Sequence, residues 1–281
     1  MMWFLGYIFY LIPTKSVTAC TSTMPSKMKT IGEILSLAPE KLSQDSFSPF
    51  GTVIQNPAPR LIPSVKIRST DIPANAVQAN QGSALKYLDV THMKNLYGTA
   101  PSKVESKAVM NMFVCAPRKL LPNQNSGSSA AQEYFAVEIL ERHPFTPQTF
   151  IPLALSASAS EQTRYLVIVA PSLPPSPADE TLPAPAPPST EFLPGRGLPD
   201  LKRIQAFIAD GSQAVTYGAG TWHAPMVVVG IKAIDFVVVQ FANGVGIEDC
   251  QEVLLDSSKG GKIMVAVPKV NLQQRIGASR L

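Results

Sequence analysis

The chain has 281 residues, 45% hydrophobic and 16% charged, and 26 of them are prolines, about 9% against a usual ~5%. That composition can bury a substantial core and excludes wholesale disorder, a coiled coil and a collagen-like rod. A net charge of +4 is mild and is not gathered into a stripe, so no nucleic-acid partner is expected. Cys20, Cys115 and Cys250 lie far apart with no CxxC pair, which excludes a cysteine zinc site and a disulfide framework and suits a reducing compartment.

At the amino terminus, Trp3–Leu11 is an apolar run closed by Pro13. It falls far short of the ~20 residues of a membrane-spanning helix, so no membrane partner is expected. No Lys or Arg precedes it, as a signal peptide requires, and Met24 and Met28 offer later start sites. Residues 1–28 are therefore set aside as an extension, and 29–281 are expected to fold as one domain. Pro39–Phe47 suits a short helix, with the proline in its first turn. Short β-rich runs follow: Gly51–Gln55, Ala84–Val90, Val109–Cys115, Tyr134–His143, Thr149–Leu155, Tyr165–Ala170, Ile204–Ala209, Met226–Val229, Phe236–Phe241 and Lys262–Val267. Turn residues separate them, as in Asn123–Ser129 and Asp210-Gly211. Strands in such number with hardly a helix predict an all-β fold, an antiparallel sandwich or barrel. From Pro171 to Pro199, ten prolines in 29 residues are too many to continue a sheet. This stretch is expected to be an extended, solvated insertion serving as a spacer. The chain ends in Ser279-Arg280-Leu281, a variant of the Ser-Lys-Leu peroxisomal address, so the expected location is cytosolic or peroxisomal.

The histidines are only His92, His143 and His223. In an extended strand, Phe135, Val137, Ile139, Glu141 and His143 share one face. The first three are apolar, so this face should be buried, with Glu141 and His143 at the mouth of the interior, where a carboxylate must have a partner. The other face, Tyr134, Ala136, Glu138, Leu140 and Arg142, is expected to meet solvent. A Glu-x-His pair of this kind either serves a site or merely satisfies itself. Pro144–Pro147 is a turn, after which Gln148 opens the next strand. His223 follows Gly218-Ala-Gly220, whose glycines permit close backbone approach and favour a site over a packed histidine. His92 is expected at the surface, and Cys115 and Cys250 are expected to be structural. Neither a G-x-S-x-G elbow, a phosphate loop nor H-E-x-x-H occurs.

Glu141-x-His143-x4-Gln148 resembles the first motif of the cupin superfamily, His-x-His-x(3,4)-Glu, whose side chains hold a metal inside a small barrel. Gly220-x2-His223 resembles its second motif, which supplies the fourth ligand. Glu141, His143, Gln148 and His223 would then be the donors if a divalent metal is bound. Gln148, a neutral oxygen donor, leaves a harder or looser metal, or none, open.

Five blocks, Phe47–Gln55, Ala79–Tyr87, Ile139–Leu153, Ile204–Met226 and Asp235–Val253, resemble the ureidoglycolate lyase family in content and order. The pairing of ERHP and its downstream Q-x-F-I-P-L with GTWH-x-P carries most of the likeness. Cys115–Arg118 (CAPR) and the Pro-rich insertion resemble fungal members. Ala224 stands where bacterial members commonly carry a second histidine. The resemblance implies a cupin-like β-barrel, a homodimer, and cleavage of (S)-ureidoglycolate into glyoxylate and urea in allantoin breakdown. It also implies an association with nickel. His143, His223 and Glu141 are the implied catalytic groups, and Asn80, Gly82, Ser83, Lys86 and Gln148 the implied substrate binders. Two rival readings are another metal-dependent cupin enzyme acting on a small organic acid and a cupin that binds a ligand without turnover.

Overall fold

The structure is a computed structural model that describes residues 27–122, 132–153, 162–185 and 193–268. The described residues form 19 strands, numbered in chain order, and two one-turn helices, α1 (Gln44–Phe47) and α2 (Gly246–Asp249). The largest sheet has eight strands in the order β1 (Lys27–Thr30), β18 (Gln251–Asp256), β10 (Ile139–Arg142), β15 (Trp222–His223), β12 (Tyr165–Ala170), β13 (Gln205–Ala209) and β3 (Glu40–Lys41), with β16 (Val227–Val228) also on β12. A five-stranded sheet runs β4 (Gly51–Ile54), β14 (Ala214–Tyr217), β11 (Gln148–Pro152), β17 (Ile234–Ala242) and β7 (Lys107–Cys115). A four-stranded sheet runs β2 (Ile34–Leu37), β19 (Lys262–Val267), β9 (Glu133–Val137) and β8 (Leu121–Pro122). The hairpin β5 (Ala76–Ala79) and β6 (Ala84–Tyr87) pairs only with itself among the described residues.

The run YLVIVA of β12 shows why the large sheet lies at the centre. All six residues are buried, as an unbroken apolar strand must be on both faces. Leu166, Ile168 and Ala170 join a core with Leu140, Trp222 and Val253, to which the four-stranded sheet adds Phe135, Val137, Ile263 and Val265. Tyr165, Val167 and Val169 join the other core with Phe150, Val215, Tyr217 and Phe236 of the five-stranded sheet. The result is the expected all-β, cupin-like layering.

The details differ from the sequence expectations in several places. The run Tyr134–His143 is two strands, because Glu138 leaves the ladder: Val137 pairs with Ile263 in one sheet and Ile139 with Leu254 in another. This one-residue break reverses the alternation, as a bulge does. Leu140 and Arg142, expected in solvent, are fully buried.

The described parts of the Pro-rich insertion are not solvated throughout: residues 174–178 are exposed, but Asp179, Leu182, Pro185, Gly197 and Pro199 are buried. Its neck closes like a hairpin, with Leu173 N donating to Leu198 O and Asp200 N to Pro171 O, 2.8 Å each. Part of the stretch set aside as an extension belongs to the fold, because Lys27 and Met28 pair with Val253 and Leu254. The helix expected over Pro39–Phe47 shrinks to α1, capped by the Ser43 hydroxyl, while Glu40 and Lys41 add a strand to β13. The sheets are antiparallel except where β1, β2 and β3 join β18, β19 and β13 in parallel.

Candidate active site

Glu141 and His223 lie directly opposite each other on β10 and β15, in the only register pair joining those strands. His223 also pairs with Val169, whose side chain belongs to the core shared with the five-stranded sheet. Across that core, Gln148 opens β11. The turn between β10 and β11 is pinned by Phe145, which is fully buried 5.5 Å from the Tyr97 ring, and by Thr146, whose hydroxyl accepts from Phe241 N. Gly220, at φ +78°, brings the second motif against the first by donating its N–H to His143 O at 2.8 Å. The structure thus brings Glu141, His143, Gln148 and His223 together. The two imidazole centroids are 5.6 Å apart.

Each imidazole is oriented by a backbone carbonyl. His223 Nδ1 lies 2.9 Å from Thr221 O and His143 Nδ1 2.6 Å from Asp249 O, so each Nδ1 carries the hydrogen and donates. Both Nε2 atoms therefore carry free lone pairs in the neutral rings. His223 Nε2 faces two oxygens, Gln148 Oε1 at 3.2 Å and Glu141 Oε1 at 3.5 Å. His143 Nε2 is buried without a hydrogen-bond partner. The same atoms suit a positive centre, either a proton on Nε2 or a bound cation.

The donor atoms of Glu141, His143 and His223 all lie within 4.8 Å of one another, so these residues could hold a metal ion. Carbonyl-anchored imidazoles are the usual outer support of such ligands. Burial alone would push the Glu141 carboxyl up, but the hydrogen bond and charge of a protonated His223, and then the charge of a protonated His143, hold it below its ordinary range. Burial depresses His143 against the opposing pull of Glu141.

Three further residues shape the site and were not singled out from the sequence. Tyr217 stacks on His223 with centroids 3.9 Å apart and planes 7° from parallel. Gln240 Oε1 accepts from Gln148 Nε2 at 2.7 Å, which turns the Gln148 oxygen toward His223. Asp249 offers the carbonyl that orients His143, while its carboxylate is held by Tyr97 Oη, Asn243 N and Gly244 N. The blocks Ile204–Met226 and Asp235–Val253 contain all three, but register, not residue type, points them at the site.

A model of the ureidoglycolate lyase family matches residues 34–260. The chain belongs to the ureidoglycolate lyase family. A Schizosaccharomyces pombe ureidoglycolate lyase is 35% identical over 212 residues, covering 75% of this chain and 87% of the relative. One from Saccharomyces cerevisiae is 32% identical over 208 residues, covering 73% and 86%. A Burkholderia mallei ureidoglycolate lyase is 26% identical over 203 residues, covering 72% and 81%. The higher identity to the two fungal members agrees with the fungal features of the sequence.

Asn80, Gly82, Ser83 and Lys86 lie on the β5–β6 hairpin, which pairs with no other strand of the described residues. Asn80, Ser83 and Lys86 are exposed, and Ser83 bonds to Asn80 O through both its N–H and its hydroxyl. Gly82 is buried against Val65, which a Cβ would meet at 2.7 Å, a packing reason for the glycine. His92 is exposed, as expected. Cys115 packs half-buried on the core, and Cys250 is buried. No helix of the described residues is long and apolar enough to cross a membrane. Cys20 and Ser279–Leu281 lie outside the described residues.

Proposed function

We propose that this chain is a ureidoglycolate lyase, splitting (S)-ureidoglycolate into glyoxylate and urea at the cluster of Glu141, His143, Gln148 and His223. The observation that carries the reading is a pair of carbonyl-anchored imidazoles in which His223 Nε2 faces the Glu141 carboxylate and the Gln148 amide oxygen, with the His143 ring 5.6 Å away. The substrate carries a hydroxyl, a urea nitrogen and a carboxylate on one carbon. Removing the hydroxyl proton forms the aldehyde C=O as the C–N bond breaks, and the departing nitrogen takes a proton to give urea. An imidazole is suited to take and return such a proton near neutral pH.

His223 is our assignment for that base. Its Nδ1–H is committed to Thr221 O, so the proton arrives at Nε2. The imidazolium so formed faces Glu141 and Gln148 Oε1, which stabilise it until the proton passes to the urea nitrogen. Gln240 keeps the Gln148 oxygen in place, and the Tyr217 ring limits tilting of His223. The alternative is a divalent metal, for which we propose nickel: Glu141, His143, Gln148 and His223 would hold it, and His223 Nε2 would then be a ligand and not the base. When bound, the ion supplies an electrophile that lowers the hydroxyl pKa and grips the substrate carboxylate. Asn80, Gly82, Ser83 and Lys86 are assigned to the carboxylate or ureido group only on the family resemblance.

The decisive experiment follows glyoxylate and urea together from racemic ureidoglycolate, with and without a chelator. Equal release of both products supports the reading, and ammonia in place of urea would reassign the protein as an amidohydrolase. Activity lost to the chelator and restored by nickel supports the metal assignment, whereas full activity in chelator leaves His223 to act alone.

We also propose a homodimer formed through β7, the edge strand of the five-stranded sheet. Met110, Met112 and Val114 project from one face and are 77%, 64% and 71% exposed, a run that an isolated edge rarely leaves bare. Sedimentation would test this assignment. A peroxisomal location resting on Ser279-Arg280-Leu281 is tested by deleting those residues and following a tagged protein to the cytosol.

A further inference from the structure

We infer that the Pro-rich strap, described over residues 171–185 and 193–199, clamps the back of the active site, with Arg142 and Trp222 acting as positioning residues for Glu141, His143 and His223. The inference rests on the reading that those three side chains carry the reaction.

The strand register sets up the arrangement. Glu141 and His223 face the site, so their chain neighbours Arg142 and Trp222 face the opposite side of the same two strands. Both are fully buried. The Arg142 guanidinium carbon lies 4.4 Å from the Trp222 ring centroid. Its Nη1 donates to Gly195 O at 2.8 Å, Gly197 O at 3.1 Å and the Ser172 hydroxyl at 3.4 Å, and Nη2 donates to Arg196 O at 3.1 Å. Its Nε donates to Gln251 Oε1 at 2.9 Å, and Gln251 Nε2 reaches back to the strap at Pro183 O, 2.7 Å away. Trp222 Nε1–H donates to the same Gly197 O at 3.0 Å. One planar fork and one indole thus read three consecutive carbonyls of the strap.

The strap is shaped to be read in this way. Gly195 adopts φ +73°, a conformation that favours glycine, and a Cβ on Gly197 would sit 1.7 Å from Leu173 O. A buried guanidinium held by carbonyls rather than a carboxylate is a costly way to fill a core, and an apolar side chain would do that better. What the fork adds is geometry. Only one residue pair joins β10 to β15, and β15 is two residues long, so the backbone ladder alone holds His223 loosely against Glu141. The Arg142–Trp222 stack, sealed by the strap, fixes what the ladder leaves free. A misplacement of about 1 Å can cost ~100-fold in rate.

The test uses the full chain with Arg142→Lys, which keeps the charge but loses the fork and the stack, Trp222→Phe, which keeps a ring but loses the Nε1–H, and Gly197→Ala, which pushes the strap away. Each is assayed well below its melting temperature, with the folded fraction measured by circular dichroism. Trypsin cleavage after Arg196, an exposed residue whose carbonyl Arg142 holds, reports release of the strap. The expected result is faster cleavage together with a kcat reduced about 10- to 100-fold at nearly unchanged KM, the range seen when support behind a site is lost. Trp222→Phe should show the smallest loss. If Arg142→Lys does not fold, the other two variants decide the question.

Faster cleavage with kcat per folded molecule within twofold of wild type, in every variant that folds, would overturn the clamp and leave the strap a stabilising cover. Wild-type kcat with unaltered cleavage would overturn it equally. A His223→Ala variant separates the two readings. If it is inactive while the strap variants turn over normally, only the clamp fails. If it is fully active, the site assignment itself fails.

Discussion

The β10–β15 junction and the β7–β17 ladder are opposite ways of joining two strands. β7 and β17 exchange pairings at every position from Ile234↔Cys115 to Ala242↔Lys107, so backbone hydrogen bonds alone fix their register. β10 and β15 share the single pair Glu141↔His223. The well-laddered region carries exposed methionines and no titratable cluster, while the sparsely laddered one carries the chemistry. A short strand behind a glycine turn, as β15 is behind Gly218-Ala-Gly220, can bring a histidine beside a carboxylate where a long ladder would commit those positions to alternation. The cost is that side chains must supply the rigidity.

The largest effects should come from breaking the junction at its centre. His143→Ala and His223→Ala are each expected to lower kcat/KM at least ~100-fold, the usual weight of general acid–base catalysis, with the fold retained. Product release and circular dichroism check both halves of that statement. Near-normal urea release by both variants would remove the junction's functional distinction. Behind the junction, Leu140→Ala empties a fully buried position of the core shared with Trp222. It should cost about 2–5 kcal/mol in denaturant unfolding, and a much smaller cost would mean that the strand can collapse onto the gap.

A smaller effect is expected one contact away. Gln240→Leu releases the Gln148 amide, and kcat/KM should fall about tenfold, comparable with losing an outer-shell hydrogen bond. Equal activity would mean that the Gln148 oxygen needs no holding.

Acidification should weaken the same junction in two windows. The folded-state pKa of His143 lies below 6.5, so the unfolded chain binds more protons just under that pH, and stability falls as pH drops from about 6.5. The carboxyl of Glu141, also depressed, adds a loss as pH falls from about 4.5. Melting curves in chelator should show both, and His143→Gln should remove the upper window and narrow the lower one, since His143 helps to hold Glu141 down. The smallest intramolecular effect belongs to the long ladder. Met112→Glu, on the exposed β7 face, should change the stability of the single chain by no more than about 0.5 kcal/mol. It should nevertheless dissociate the proposed dimer, and an unchanged sedimentation profile would move the interface elsewhere.

Much of this was legible in the sequence, though not always for the reason first apparent. The alternation from Phe135 to His143 predicts Glu141 inside, and it is inside, but on the opposite face from Phe135 and Val137. The break at Glu138 moves the strand from one sheet to another and shifts the phase, and nothing in the local residue types marks it. The same shift buries Arg142, which a period-two reading assigns to solvent. Proline content excluded a sheet strand between Pro171 and Pro199, and the described residues of that stretch form none, but composition is silent on packing. Extended backbone without a ladder partner can still be covered when a side chain such as Arg142 satisfies its carbonyls. β14, β15 and β18 escaped the strand prediction because they are short or mixed in polarity, and their partners come from distant segments.

The sequence by itself determined the all-β class, the family, and the motif residues Glu141, His143, Gln148 and His223. These follow from local periodicity and from spacing along one chain. Only the tertiary structure decided that Tyr217, Gln240 and the Asp249 carbonyl surround the imidazoles and that the neck of the Pro-rich segment packs behind the site. Each of those outcomes depends on pairing between residues far apart in the chain, and register across a sheet is a property of both partners that neither strand carries alone.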